Sequence, residues 1–280
     1  MSVDFQSCMS LLFTENQTFT LHPKTDLIIT TMKTKKIIAC LDIKDGNVVK
    51  GINFVDINEV GNPVEFAKRY EQEGADELVL LDITATNENR GTVLELVAEV
   101  AKEISIPFTV GGGIHSVEEA QAVITAGADK VSIGSAAIKN PELITQLSIK
   151  LGKNRVVLAI DCKLDNNEWL VYTHGGKKAT ELRALDWAIE GEELGAGSIL
   201  LTSMNNDGAK NGFAIDITKA IADAVSIPVV ASGGAGKKED FLDLFQETNA
   251  EGGLAASVFH YKEININELK IFLRKNDINI

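Results

Sequence analysis

The sequence predicts an α/β protein, a closed (β/α)8 TIM barrel built from two similar half-barrels. Three observations carry that reading: short apolar runs alternate with longer amphipathic segments, eight such runs can be counted, and the second half of the chain repeats the first. The 280 residues, 45% hydrophobic and 24% charged, suffice to bury one barrel core. The expected strands are Ile37–Leu41, Leu78–Asp82, Pro107–Val110, Lys130–Ile133, Val156–Asp161, Ser198–Thr202, Pro228–Ala231 and Gly253–Ala256. Most read as near-continuous apolar runs, as parallel strands do when both of their faces are covered. Between them, Val93–Glu103, Val117–Ala126, Leu182–Leu194 and Ile215–Ala224 carry apolar residues at helical spacing. An open doubly wound sheet uses the same units.

The repeat favours closure. Gly74-Ala75-Asp76 recurs as Gly195-Ala196-Gly197, Ile106-Pro107 as Ile227-Pro228, Gly112-Gly113 as Gly233-Gly234, and Gly134-Ser135 approximately as Ala256-Ser257. An offset of about 120 residues is too long for a solenoid unit and fits four βα modules. Matching residues of two fused half-barrels face each other across a shared axis, so whatever one half binds the other can bind again.

With 27 Lys and Arg against 40 Asp and Glu, the net charge of -13 argues against a nucleic-acid partner held by a basic surface. Cys8, Cys40 and Cys162 are too few for a disulfide framework, and no Cys/His cluster has zinc spacing, so neither a metal nor a cofactor is expected. A reducing cytoplasm fits this cysteine usage. No apolar run approaches the ~18 residues of a membrane span, and no membrane partner is expected. Residues 1–31 show no sustained period and are expected to be a disordered N-terminal extension, or the product of an upstream start codon. A partner-binding arm is the competing reading. The barrel domain is expected over residues 32–280.

The chemistry is expected at the C-terminal rim. Asp42 ends the first strand and Asp161 the fifth, where barrel active sites form. Alternation puts Ile38, Cys40 and Asp42 on one face, and Val157, Ala159 and Asp161 on one face, with both acids inward. Two carboxyls near apolar walls can hold different pKa values and serve as acid and base. A lone Asp after a strand more often caps the next turn, but symmetric placement favours a catalytic pair. Gly111-Gly112-Gly113 and Gly233-Gly234-Ala235-Gly236 follow strands three and seven; Gly134-Ser135 and Ala256-Ser257 follow strands four and eight. Small residues before helix N-termini let backbone amides approach phosphate oxygens, so each half has one cradle and the ligand is long and phosphorylated at both ends. Gly236-Lys237 is no P-loop, because Ala231 and Lys238 stand where Gly and Ser/Thr are required. Cys40 reads as a core thiol.

These residues also carry a family resemblance. Ile37-Ile38-Ala39-Cys40-Leu41-Asp42-Ile43-Lys44-Asp45-Gly46 with Val49-Lys50-Gly51 is similar to the start of the cyclase subunits of imidazole glycerol phosphate synthase. The similarity continues through Leu81-Asp82-Ile83-Thr84-Ala85, Pro107 to Ile114, Ala159-Ile160-Asp161, Ala231 to Gly236 and Leu254-Ala255-Ala256-Ser257-Val258-Phe259-His260. It implies a glutamine amidotransferase complex, a heterodimer in which a separate glutaminase supplies ammonia through the barrel core. The bisphosphorylated substrate would be phosphoribulosyl-formimino-aminoimidazole carboxamide ribotide. Its products would be imidazole glycerol phosphate and aminoimidazole carboxamide ribotide. Asp42 and Asp161 match the catalytic pair; Lys50, Gly113, Gly134, Ser135, Asp207, Gly208, Gly234, Ala256 and Ser257 match substrate and phosphate positions. Lys36, Glu77, Lys130 and Ser198 match the ammonia entrance. Gly134, Asn205 and Ser198 depart from residues common in the family, and Ser198 in place of Glu is expected to leave one entrance lysine without a partner. The sister isomerase of the pathway shares the half-barrel repeat, but the Cys-Leu-Asp opening and the Ala-Ser-Val-Phe-His ending favour the cyclase. An idle docking module would have no reason to keep both rim acids and both cradles.

Overall fold

The computed structural model describes residues 18–19, 29–30, 34–44, 46–52, 55–83 and 94–280, without the side chains of 18–19, 29–30, 50–52 and 55–60. Asp45, Thr84, Ala85, Val93 and the side chain of Lys50 therefore lie outside the described residues, as does most of 1–31. The chain divides into two units, Met1–Thr34 with Asn279 and Lys35–Ile278 with Ile280. In the first, Thr18–Phe19 pairs antiparallel with Ile29–Thr30.

The second unit is a barrel of eight parallel strands: β1 (Lys36–Lys44), β2 (Glu77–Asp82), β3 (Phe108–Gly111), β4 (Lys130–Ile133), β5 (Val156–Asp165), β6 (Ser198–Ser203), β7 (Val229–Ser232) and β8 (Gly252–Ala255). Each strand pairs with the next, and β8 pairs with β1, as in Leu254 opposite Ile38, which closes the ring. Helices α1 (Pro63–Gln72), α2 (Leu94–Glu103), α3 (Val117–Thr125), α4 (Glu142–Leu151), α5 (Ala184–Glu193), α6 (Ile215–Ala224), α7 (Lys238–Glu247) and α8 (Ile266–Lys275) follow the strands in turn. Among the described residues, no helix is long and apolar enough to cross a membrane.

Strand alternation sorts the core into two layers. Ile38, Cys40, Val79, Val157, Leu200 and Leu254 fill the barrel interior, while Ile37, Ala39, Leu41, Leu78 and Leu80 pack outward under the helices. Cys40 is thus the buried core thiol expected. Strand entry is set by aspartates: Asp76 Oδ2 accepts the Ile37 amide at 2.8 Å, and Asp129 Oδ2 accepts that of Phe108 at 2.9 Å. Each carboxylate just before one strand thereby satisfies an amide at the start of its neighbour and holds the register.

Two excursions decorate the rim. Asn47–Ile52 and Val55–Gly61 form a hairpin on β1, and Glu168–Thr173 with Lys178–Arg183 forms another on the extended end of β5. The second corrects the expected helix Leu182–Leu194, whose first two residues are strand. Lys178–Arg183 is largely exposed, so no apolar pattern marks it.

Candidate active site

Asp42 and Asp161 both line one cavity of about 370 Å³ at the C-terminal ends of the strands. Each stands two residues beyond an inward-facing neighbour, Cys40 on β1 and Ala159 on β5, so the pleat aims both carboxyls into the mouth. Cys40 Sγ lies 3.8 Å from Asp42 Oδ1. Burial raises the Asp161 carboxyl to about 6, and the negative charge of Asp207 adds to the effect. A carboxyl poised there changes protonation near neutral pH, as an acid or base requires.

The two halves build matching turns beside these acids. Gly112 (φ 89°) and Gly233 (φ 88°) follow β3 and β7 in the left-handed region. A Cβ would meet the Asp82 carbonyl oxygen at 2.1 Å in the first and the Ser203 carbonyl oxygen at 2.7 Å in the second. Only glycine lets the backbone pass so close to the preceding strand. After β4 and β8, Gly134 (φ -124°, ψ -91°) and Ala256 (φ -123°, ψ -75°) share one uncommon conformation. Each leads into a short helix, Ser135–Lys139 or Ser257–His260. The first amides of such helices have no partner within the helix, so they remain donors for an anion.

Of the expected rim residues, Asp42, Gly113, Gly134, Ser135, Asp161, Asp207, Gly208, Gly234, Ala256 and Ser257 all line the cavity. Lys50 lies in the hairpin strand Asn47–Ile52. The Asp207-Gly208 segment is fixed by Asn206, whose Oδ1 accepts Ser203 Oγ at 2.7 Å and whose Nδ2 donates to the Gly212 carbonyl at 2.8 Å. Gly212 in turn donates to the Gly234 carbonyl at 2.9 Å, which joins this loop to the β7 turn. Asn205, one of the departures noted above, accepts the Leu164 amide at 2.8 Å.

Lys44, Gly175 and Lys177 also line the mouth, and sequence reasoning missed them. The last two sit at the tip of the β5 hairpin, where the His174 amide donates to Ser135 Oγ at 2.9 Å. Asn166-Asn167, both at positive φ, and Gly175-Gly176 were the available turn signals.

Comparison with known proteins agrees with this geometry. A family model described as histidine biosynthesis protein matches residues 36–265. The chain belongs to the histidine biosynthesis protein family. Among relatives named imidazole glycerol phosphate synthase subunit HisF, it is 52% identical to that of Geobacillus thermodenitrificans, covering 89% of this chain and 100% of the relative. It is 56% identical to that of Pyrococcus furiosus and 55% identical to that of Flavobacterium johnsoniae, each over 89% of this chain and 99% of the relative. The family model ends within the loop before α8 and begins with β1, so it spans the eight strands.

Within this family barrel, Lys36, Glu77, Lys130 and Ser198 are the first residues of β1, β2, β4 and β6, at the end opposite the cavity. One expectation is corrected here. Glu77 pairs with Lys36 through Oε1 and accepts from Lys130 Nζ at 2.8 Å through Oε2, so neither lysine lacks a carboxylate. A single carboxylate has two oxygens and serves two cations, which an accounting by whole charges overlooks. Burial favours the neutral form of Glu77, but the hydrogen bonds and charges of Lys130 and Lys36 overcome it and hold the carboxyl below its ordinary range.

Proposed function

We propose that this chain is the cyclase of imidazole glycerol phosphate synthase, a lyase of histidine biosynthesis. It takes ammonia from a partner glutaminase and converts phosphoribulosyl-formimino-aminoimidazole carboxamide ribotide into imidazole glycerol phosphate and aminoimidazole carboxamide ribotide. The observation that carries the reading is the twofold mouth, in which two carboxyls share one cavity with two equivalent small-residue turns. A substrate with a phosphate at each end matches that symmetry, since each end meets its own set of helix N-terminal amides. This resolves the conflict between an anionic ligand and a net charge of -13, because local amides hold the phosphates.

Asp42 and Asp161 then act on the middle of the substrate. Ammonia condenses with the ribulosyl ketone, whose oxygen leaves as water. Ring closure then forms the second carbon–nitrogen bond and breaks the one to the carboxamide ribotide, so the leaving nitrogen needs a proton while the nitrogen that ammonia brings must lose its protons. One carboxyl supplies the first need and one carboxylate the second. The glycines beside them keep the backbone close to the ligand, and Lys44 and Lys177, which line the cavity, add positive charge above it. Ammonia enters past Lys36, Glu77, Lys130 and Ser198 and crosses the barrel interior lined by Ile38, Val79, Val157 and Leu200. The setting is the cytoplasm, without nucleic acid, membrane, metal or cofactor, and residues 1–31 are an extension outside the machinery.

Incubating the purified chain with substrate and either ammonium salts or glutamine tests this. Product is expected with ammonium and none with glutamine until a partner glutaminase is added. Glutamine-dependent product from the chain alone would contradict the reading.

A further inference from the structure

The two short helices at the rim match in backbone but not in what stands behind them. Ser257–His260 is gripped from outside by α1. Arg69 Nη2 donates to the Phe259 carbonyl at 3.0 Å, and Tyr70 Oη is hydrogen-bonded to His260 Nδ1. Tyr70 and Phe259 are fully buried and His260 nearly so. Burial raises the Tyr70 phenol above its ordinary range, so its O–H remains available as a donor to the imidazole. The rings pack as well: Phe66 meets His260 edge-on at 5.3 Å, and Tyr70 lies 6.0 Å from it in a stacked arrangement. The Arg69 guanidinium covers the Phe66 and Tyr70 rings at 4.5 and 4.8 Å. The side chain is thereby held flat against α1 while it reaches the Phe259 carbonyl.

The other half has no counterpart. By the offset that carries Gly74 to Gly195, Tyr70 falls on Gly191 and Arg69 on Glu190 of α5. A Cβ at Gly191 would meet Leu158 Cδ2 at 2.1 Å, so that helix packs directly on β5 where α1 places a tyrosine. His260 corresponds to Ile138, whose side chain can make no such bond, and opposite the carbonyl of Ala137, the counterpart of Phe259, the arginine position holds Glu190, which has no donor to offer. The Ser135 helix is held instead from the mouth side, by the His174 amide.

We propose that Arg69 and Tyr70, acting through Phe259 and His260, are positioning residues for the anion cradle at Ala256–Ser257 alone. The inference rests on the reading that both cradles take phosphate. A short helix of four residues has one turn of internal hydrogen bonds and little stiffness of its own. Its first amides keep a fixed aim because its last residues are anchored to α1. Loosening the anchor weakens one end of the binding site and spares the other.

Inorganic phosphate is the probe, titrated into the purified full chain by calorimetry. The native chain is expected to bind two equivalents. Tyr70→Phe and Arg69→Gln should each weaken one equivalent about tenfold and leave the second unchanged, with Arg69→Lys recovering part of the loss. Ser135→Ala should weaken the other equivalent, which tells the two apart. With the full substrate, the two α1 variants should raise KM several-fold while kcat stays within about twofold. Circular dichroism and melting temperature report whether each variant is folded. Should Tyr70→Phe lose its fold, the Arg69 pair still decides the matter, since that side chain lies at the edge of the core. A native chain binding two phosphates, with folded variants that weaken neither or both alike, overturns the inference. A native chain that binds fewer than two overturns the reading beneath it.

Discussion

Asp161 and Asp207 line the same cavity in the barrel mouth, where burial lifts the Asp161 carboxyl to about 6 and the negative charge of Asp207 adds to the rise. Asp161 lies on β5 opposite Thr202 of β6, and Asp207 lies in the loop after β6 that Asn206 ties to the β7 turn. The loop of one strand therefore adds to what burial does to a carboxyl on its neighbour. The pH–rate profile with ammonium as nitrogen source should show a limb near pH 6. Asp207→Asn should move that limb to lower pH, because burial remains but the opposing charge is gone. A limb that does not move would separate Asp207 from the titration.

Asp161 also has a predictable effect on folding. Its folded-state pKa lies above the ordinary 3.8, so the contribution it makes to stability is present below about 3.8 and is lost as pH rises through about 6. Asp161→Asn should therefore melt at a higher temperature than the native chain at pH 8, with the gap closing near pH 3. An equal gap at both pH values would contradict the assignment.

Glu77 gives the opposite sign. Its carboxyl is held below the ordinary 4.5, so its stabilisation is present above that value and is lost as pH falls through the folded-state pKa. Glu77→Gln leaves two half-buried ammonium groups with no full charge between them and should cost about 1–2 kcal/mol at pH 7, a buried-pair loss discounted for exposure. Urea unfolding of the two chains at pH 7 measures it. A variant as stable as the native chain would show that the Lys36–Glu77–Lys130 bridge contributes nothing.

Gly112 and Gly234 are expected to tolerate no side chain. At Gly234 (φ 106°) a Cβ would stand 2.0 Å from the Gly212 carbonyl oxygen, and at Gly112 it would stand 2.1 Å from that of Asp82. In each case the contact is with backbone and cannot be relieved by a rotamer change. Ala at either position should cost at least about 2 kcal/mol, the strain of the conformation with the clash added. Gly152→Ala, equally left-handed at φ 89° but with nothing within 4 Å, should lose only the conformational part. Equal melting temperatures for the three variants would refute this ordering.

Much of this was legible in the residues, for a physical reason. Parallel strands are covered on both faces, so each of the eight appears as a bounded apolar run, and all eight stand within a few residues of where that pattern puts them. Asp42 and Asp161 were legible because the repeat places them symmetrically and the strand period turns them inward. The β5 hairpin was not, because Lys178–Arg183 is exposed and its polar residues carry no burial signal. Lys177 was missed with it. The sharing of Glu77 by Lys36 and Lys130 was also hidden, since spacing along the chain says nothing about how two carboxylate oxygens divide between partners.

The catalytic role of Asp42 and Asp161 is the central claim, and turnover by single Asn variants with ammonium and saturating substrate tests it most directly. Asp42→Asn and Asp161→Asn are each expected to keep the fold and bind substrate with little change, while kcat falls by about 10²–10⁴-fold, the usual worth of a general acid or base. Near-native kcat in either variant would contradict the account.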